Sequence, residues 1–92
     1  MHLRPFVYNM DMEKVILYTK LNCQLCQDAY LMLMEITLDI PLDIDLVDIT
    51  HAHNSDIQGQ YAERIPVLAK PGNRVELDWP FTPDDIRNYL TH

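Results

Sequence analysis

A pair of cysteines, Cys23 and Cys26, constrains this chain more than any other feature because of what stands on either side of it. An apolar, β-prone run from Val15 to Tyr18 precedes the pair, and such a run is typical of a buried strand. Residues 23–38 follow helical periodicity, so the pair lies at a strand-to-helix junction. Because a helix N-terminus favours negative charge, this junction favours the thiolate form of Cys23.

The Cys-x-x-Cys spacing permits both redox states of the pair. On a helix, Cys26 lies one turn beyond Cys23 on the same face. That arrangement fits the Cα separation of roughly 4.4–6.8 Å that a disulfide requires. A bridge that closes so small a loop stabilises little. Structural disulfides are also rare in the reducing cytoplasm, where we expect this protein for reasons given below. The pair therefore favours redox catalysis or metal binding over a structural staple.

Length and charge exclude several classes of protein. The chain has 92 residues, enough for one small domain with a modest core. Its formal net charge of −7 argues against nucleic acid and against an anionic membrane surface as partners, because both require a basic patch. No apolar run approaches the roughly 20 residues of a membrane-spanning helix.

Residues 1–13 differ from the rest of the chain because their apolar residues follow no clear helical or strand period. We expect residues 1–13 to be an N-terminal extension and residues 14–92 to form a single domain. Residues 1–6 are not followed by the apolar segment of a signal peptide. We therefore expect a cytoplasmic protein, and we expect it to be a monomer.

Periodicity and turn signals predict seven elements. These are a strand at 14–19, a helix at 23–38, a strand at 41–49, a helix at 56–63, strands at 67–69 and 74–78, and a helix that begins after Thr82. Asn22 is expected to cap the first helix, and Asn54 or Ser55 the second. The first β-α-β unit predicts a parallel pair with a right-handed crossover, and the last two strands predict an antiparallel hairpin. The fold class is therefore α/β, with a small mixed four-stranded sheet and helices on both faces.

Over about residues 14–90 the chain resembles the thioredoxin fold, and within that fold it is similar to small glutaredoxin-like proteins. The resemblance rests on the strand-loop-dithiol segment 15–26, on residues 64–68 (Arg-Ile-Pro-Val-Leu), and on the strand-and-helix ending at 75–90. Residues 79–81 (Trp-Pro-Phe) are similar to a segment of a compact bacterial glutaredoxin-like group. The resemblance implies a thioredoxin-like β-α-β-α-β-β-α fold and a thiol–disulfide oxidoreductase acting in cell redox homeostasis.

The same resemblance implies a substrate site around the dithiol. Ile65–Pro66 is expected to be a cis peptide that faces the dithiol, with the main chain of Ile65 pairing with a disulfide substrate as an added strand would. Lys20 matches a basic position that glutaredoxins use near the glutathione carboxylate, and an exposed loop lysine is the alternative interpretation. Between the cysteines, Leu25 keeps the site partly apolar and Gln24 adds no charge.

Cys23 is expected to attack the substrate disulfide because of its place at the helix N-terminus, and Cys26 to resolve the mixed disulfide. The expected partner is a disulfide-containing protein or a small thiol. No resident cofactor is expected, with glutathione as a possible co-substrate. Glutaredoxins hold glutathione with a Gly-Gly turn, but residues 77–82 here contain no glycine, and Pro80 has no amide hydrogen. This departure predicts weak glutathione binding.

Two other classes of function remain open at this point. Cys23, Cys26, His51 and His53 supply four metal-ligand side chains, but the two histidines lack the spacing of a zinc finger, so no metal site is assigned. A thioredoxin-fold module that serves one partner and does not use glutathione is the other alternative, since a fold does not determine a function.

Overall fold

The computed structural model describes residues 12–51 and 55–91, in which strands and helices follow the order β-α-β-α-β-β-α. The elements are β1 (Glu13–Thr19), α1 (Gln24–Ile36), β2 (Leu42–Asp48), α2 (Ser55–Tyr61), β3 (Val67–Ala69), β4 (Leu77–Asp78) and α3 (Pro83–Leu90). The predicted element order is confirmed. Glu13, expected in the extension, already belongs to β1; residues 1–11 and Asn54 lie outside the described residues.

The strands form one mixed sheet in the order β2-β1-β3-β4. β1 and β2 are parallel along their full length, from the pair Glu13 and Leu42 to the pair Thr19 and Asp48. β3 runs antiparallel to β1 and to β4. The parallel pair and the terminal hairpin are therefore both confirmed.

Helices cover both faces of this sheet. Side chains alternate along a strand, so Val15 and Leu17 face one side and pack with α1 and α3 in the main core. Tyr18 faces the other side, where it packs in a smaller cluster with Tyr61 of α2 and with Val67. The sheet is thus the middle layer of three.

A single buried stripe positions α1 on the sheet. Its buried side chains recur at helical spacing, and they are Cys26, Ala29, Leu33 and Ile36. The helix ends at Ile36, two residues before the predicted end. A tighter turn follows it, in which the Asp39 amide donates to the Ile36 carbonyl at 2.9 Å.

The last hairpin is shorter than predicted, because the expected strand 74–78 pairs only at Leu77 and Asp78. The amide of Val75 donates to Oδ1 of Asn73 at 2.8 Å. A side chain that bonds a nearby amide competes with the strand ladder for that donor. This local turn explains why pairing begins only at Leu77.

The second helix is also displaced from its predicted range of 56–63. It begins at Ser55 and ends at Tyr61, and the amides of Arg64 and Ile65 both donate to the Tyr61 carbonyl, which closes the helix.

Among residues 12–51 and 55–91, no helix has the length and apolar character needed to cross a membrane.

Candidate dithiol site

Cys23 is itself the N-cap of α1, which corrects the prediction that Asn22 holds this position. Its backbone is extended (φ −117°, ψ 106°), and its Sγ accepts a hydrogen bond from the amide of Cys26 at 3.2 Å. Asn22 instead takes a left-handed conformation with φ of 60°, which asparagine tolerates better than most residues. The first sulfur therefore lies at the positive end of the helix, where a thiolate is stabilised.

The two cysteines are joined as a disulfide, with their Cα atoms 5.2 Å apart. This separation lies within the range that the sequence spacing predicted. Cys23 is partly exposed, whereas Cys26 is buried with 2% of its surface accessible. An approaching molecule therefore meets the sulfur of Cys23 before that of Cys26.

The residues between and before the cysteines form an exposed, largely apolar rim. Leu21 and Leu25 are both exposed large apolar side chains. Gln24 is exposed too, and its Nε2 donates to Oδ1 of Asp28 at 3.0 Å. The rim thus offers apolar contact beside Cys23, while the Gln24 amide is held by its own helix.

A cavity of about 320 Å³ adjoins the buried cysteine on the side of β2. Its lining residues are Leu17, Thr19, Lys20, Cys26, Gln27, Tyr30, Leu31 and Leu46. The structure therefore brings Lys20 and Cys26 to the same cavity. Lys20 is exposed and forms no ion pair with any residue in 12–51 or 55–91.

The Ile65–Pro66 peptide is cis, as the resemblance implied. Pro66 is fully buried, and Ile65 is half-buried against the cluster that contains Tyr61 and Val67. The antiparallel register pairs Val67 with Tyr18, so β3 starts beside the end of β1 that leads into the dithiol loop. The cis proline and the dithiol are therefore carried at the same end of the sheet.

A charged cluster next to this loop was missed by sequence reasoning. The Arg64 guanidinium contacts the carboxylate of Glu76 at 2.8 Å and that of Asp78 at 2.7 Å, and it lies 5.0 Å from the centre of the Tyr61 ring. The Tyr61 ring stacks on Tyr18 with centroids 4.0 Å apart. The only signal in the sequence was the i, i+2 spacing of the two carboxylates.

The pKa values of Arg64 and Tyr61 are both raised in this cluster. Hydrogen bonds, first to Asp78 and then to Glu76, raise the pKa of Arg64. Burial, followed by the hydrogen bond that its hydroxyl donates to Glu76, raises the pKa of Tyr61. The cluster therefore keeps a charged guanidinium and a neutral phenol across the physiological range.

The segment before α3 ends in a capping box. Oγ1 of Thr82 accepts from the amide of Asp85 at 3.1 Å, and Oδ2 of Asp85 accepts from the amide of Thr82 at 2.9 Å. Pro83 holds the first helical position, and Asp84 adds a second carboxylate to the first turn. The positive end of α3 is thus already occupied by its own acidic side chains.

Among residues 12–51 and 55–91, no group of three or more His, Cys, Asp and Glu side chains is arranged to hold a metal ion. Cys23 and Cys26 are bonded to each other, and His53 lies outside the described residues.

A mixed sheet covered by helices on both faces, with a Cys-x-x-Cys pair at the start of α1, defines a protein of thioredoxin-like fold. The structure is similar to thioredoxin O2 from Arabidopsis thaliana in its oxidized state, with a TM-score of 0.63 and 18% identity over 90% of this chain and 76% of that one. At this level of identity the likeness shows the fold alone.

The family is shown by the sequence itself. Residues 14–91 match the family described as Glutaredoxin-like domain (DUF836), and the chain belongs to this family. It is also similar to the structural-genomics target protein XcR50 from X. campestris, with a TM-score of 0.70 and 31% identity over 84% of this chain and 95% of that one. None of the curated proteins matches the chain. The family and the cysteine pair together suggest a redox function.

Proposed function

We propose that this protein is a thiol–disulfide oxidoreductase that acts through a mixed disulfide. The observation that carries the proposal is the contrast between the two sulfurs. Cys23 is partly exposed and its Sγ accepts the Cys26 amide at the positive end of α1, whereas Cys26 is buried. A thiol in such a position has a lowered pKa and attacks disulfides as its thiolate.

In the reduced protein, the Cys23 thiolate attacks one sulfur of a substrate disulfide. The substrate S–S bond breaks, one half leaves as a thiolate that takes a proton from water, and the other half stays bonded to Cys23. Cys26 loses its proton and attacks the Cys23 sulfur, which releases the second half of the substrate. The substrate gains two electrons, and the protein is left with the Cys23–Cys26 disulfide.

The surrounding residues support recognition of an extended substrate. The exposed Leu25 and Gln24 border Cys23. Lys20 supplies a positive charge that forms no ion pair with any residue in 12–51 or 55–91. The main chain of Ile65, just before the buried Pro66, would pair with the substrate backbone in the manner of an added strand. These contacts suit a disulfide-containing protein or a small thiol as partner.

Glutathione is the less favoured co-substrate. The negative charge of Asp84 and Asp85 at the start of α3 disfavours an anion there, and Pro80 donates no amide hydrogen. This observation favours the second candidate function, a reductant specific for one partner. We expect a monomer that acts in the cytoplasm, with a reduction potential of roughly −200 to −270 mV.

Reduction of insulin and of hydroxyethyl disulfide by the native protein and by Cys23→Ser tests the proposal. We expect Cys23→Ser to lose the activity on both substrates, because the attacking sulfur is gone. The matched control is Gln58→Ser, an exposed position on α2, which should keep full activity. Activity in Cys23→Ser equal to that of the control would overturn the assignment.

A further inference from the structure

Three large apolar side chains stand exposed along one face of α1 and the turn that follows it. Leu31, Met34 and Leu38 have exposed fractions of 63%, 42% and 84%. Leu31 and Met34 lie three residues apart on one face of α1, opposite the buried stripe that holds the helix to the sheet. Leu38 continues this row in the turn after Ile36 and lines the same groove. We call these three residues the α1 outer face.

The α1 outer face borders a shallow groove of about 500 Å³. The groove is lined by Asp28, Leu31, Met32, Met34, Glu35 and Leu38. Methionine side chains are flexible and polarisable, so they adapt to differently shaped apolar partners. An apolar row of about two helical turns matches the row that another amphipathic helix presents at i, i+3 and i+7.

The charge beside this row has one sign. Asp28 and Glu35 line the groove, and α1 contains no lysine or arginine. A second copy of the chain would bring carboxylates against carboxylates, in a molecule whose net charge is already −7. A partner with basic residues beside its own apolar row would instead pair with both carboxylates.

We propose that the α1 outer face binds a basic amphipathic helix of a partner protein. Leu31 also lines the cavity beside Cys26, so a partner docked here lies along the helix that carries the dithiol. Binding at this face involves neither sulfur and is therefore independent of the dithiol chemistry.

The test uses a labelled synthetic helix of leucine and lysine with an apolar row, and a leucine–glutamate helix with the same row. Fluorescence anisotropy with the full-length oxidised protein should show the basic helix binding at least tenfold more tightly. The double variant Leu31→Lys/Leu38→Lys should weaken that binding at least tenfold. Its control is Met12→Lys/Val75→Lys, which changes the charge equally at apolar positions that are 51% and 65% exposed and lie outside the dithiol rim; it should change affinity less than twofold.

A second pair of variants isolates the charge. Asp28→Asn/Glu35→Gln should weaken the basic helix severalfold, whereas Asp45→Asn/Glu63→Gln removes two exposed carboxylates elsewhere and should not. Equal losses in the two charge variants, or in the two lysine variants, would overturn the proposal because binding would then follow net charge alone. A native dimer in sedimentation that Leu31→Lys/Leu38→Lys dissolves would overturn it in favour of a second copy. A lower Tm in Leu31→Lys/Leu38→Lys, with the Tm of its control unchanged, would overturn it in favour of a segment of this chain that covers the face.

Discussion

The guanidinium of Arg64 lies 2.7 Å from the carboxylate of Asp78, and this contact ties the loop before β3 to the edge strand β4. The two strands of this hairpin have only three and two residues, so few ladder hydrogen bonds hold them together. Arg64 also bonds Glu76 at 2.8 Å, and it directly precedes Ile65–Pro66. The side-chain cluster therefore fixes the loop that carries the cis proline.

Arg64→Ala is expected to lower the free energy of unfolding by about 1–2 kcal/mol, since it removes charge-assisted hydrogen bonds to two partly exposed carboxylates. Urea denaturation of the oxidised protein measures this change. The control is Arg87→Ala, which removes one exposed ion pair with Asp39 and should cost at most about 1 kcal/mol. Equal costs for the two variants would show that the cluster adds nothing beyond an ordinary surface pair.

Arg64→Lys is expected to raise the KM for a protein disulfide while changing kcat little. Lysine keeps the charge but cannot bond Glu76 and Asp78 together with one planar group, so the loop at Ile65 is held less firmly. Steady-state reduction of insulin at varied insulin concentration separates the two constants. A lower kcat with an unchanged KM would contradict a positioning role for Arg64.

The contribution of Tyr61 to the free energy of unfolding is expected to decrease in alkaline solution. The folded protein raises the pKa of Tyr61 by burial and by the hydrogen bond to Glu76, so the unfolded chain loses the phenolic proton first, near pH 10. The stabilisation is therefore complete below about pH 10 and is lost as the pH rises through the folded pKa. The difference in free energy of unfolding between the native protein and Tyr61→Phe should shrink above about pH 10. Constancy of that difference in alkaline solution would contradict this assignment.

Glutathione is expected to bind more weakly than micromolar, as measured by isothermal titration calorimetry with the oxidised protein. Asp84→Asn removes a negative charge from the start of α3 without touching the capping box, and it should raise the affinity about two- to fivefold. Micromolar binding by the native protein would show that another part of the surface replaces the missing glycine turn.

The element order was accessible from the sequence because each segment has its own period. The continuous run from Val15 to Tyr18 and the stripe at Cys26, Ala29 and Leu33 distinguish strand from helix without tertiary information. The cis state of Ile65–Pro66 came from the family resemblance, since most bonds before proline are trans.

The cap of α1 and the contacts of Arg64 were not predicted from the sequence, for separate physical reasons. Asn22 and Cys23 both suit a cap, and only the backbone conformation decides which of them holds it. Arg64 is separated from Glu76 and Asp78 by 12 and 14 residues, so their contact depends on how the chain folds around β3. The i, i+2 spacing of Glu76 and Asp78 does not by itself identify Arg64 as their partner.

The most direct test of the account is to trap the intermediate with Cys26→Ser. After reduction and incubation with hydroxyethyl disulfide, this variant should carry one mercaptoethanol half on Cys23, because the sulfur that would displace it is absent. Mass spectrometry of the intact protein and of its peptides detects the adduct and its position, and the native protein should end with the Cys23–Cys26 disulfide instead. An adduct at Cys23 in Cys26→Ser would support the assigned roles. No adduct in that variant, together with one on Cys26 in Cys23→Ser, would contradict them.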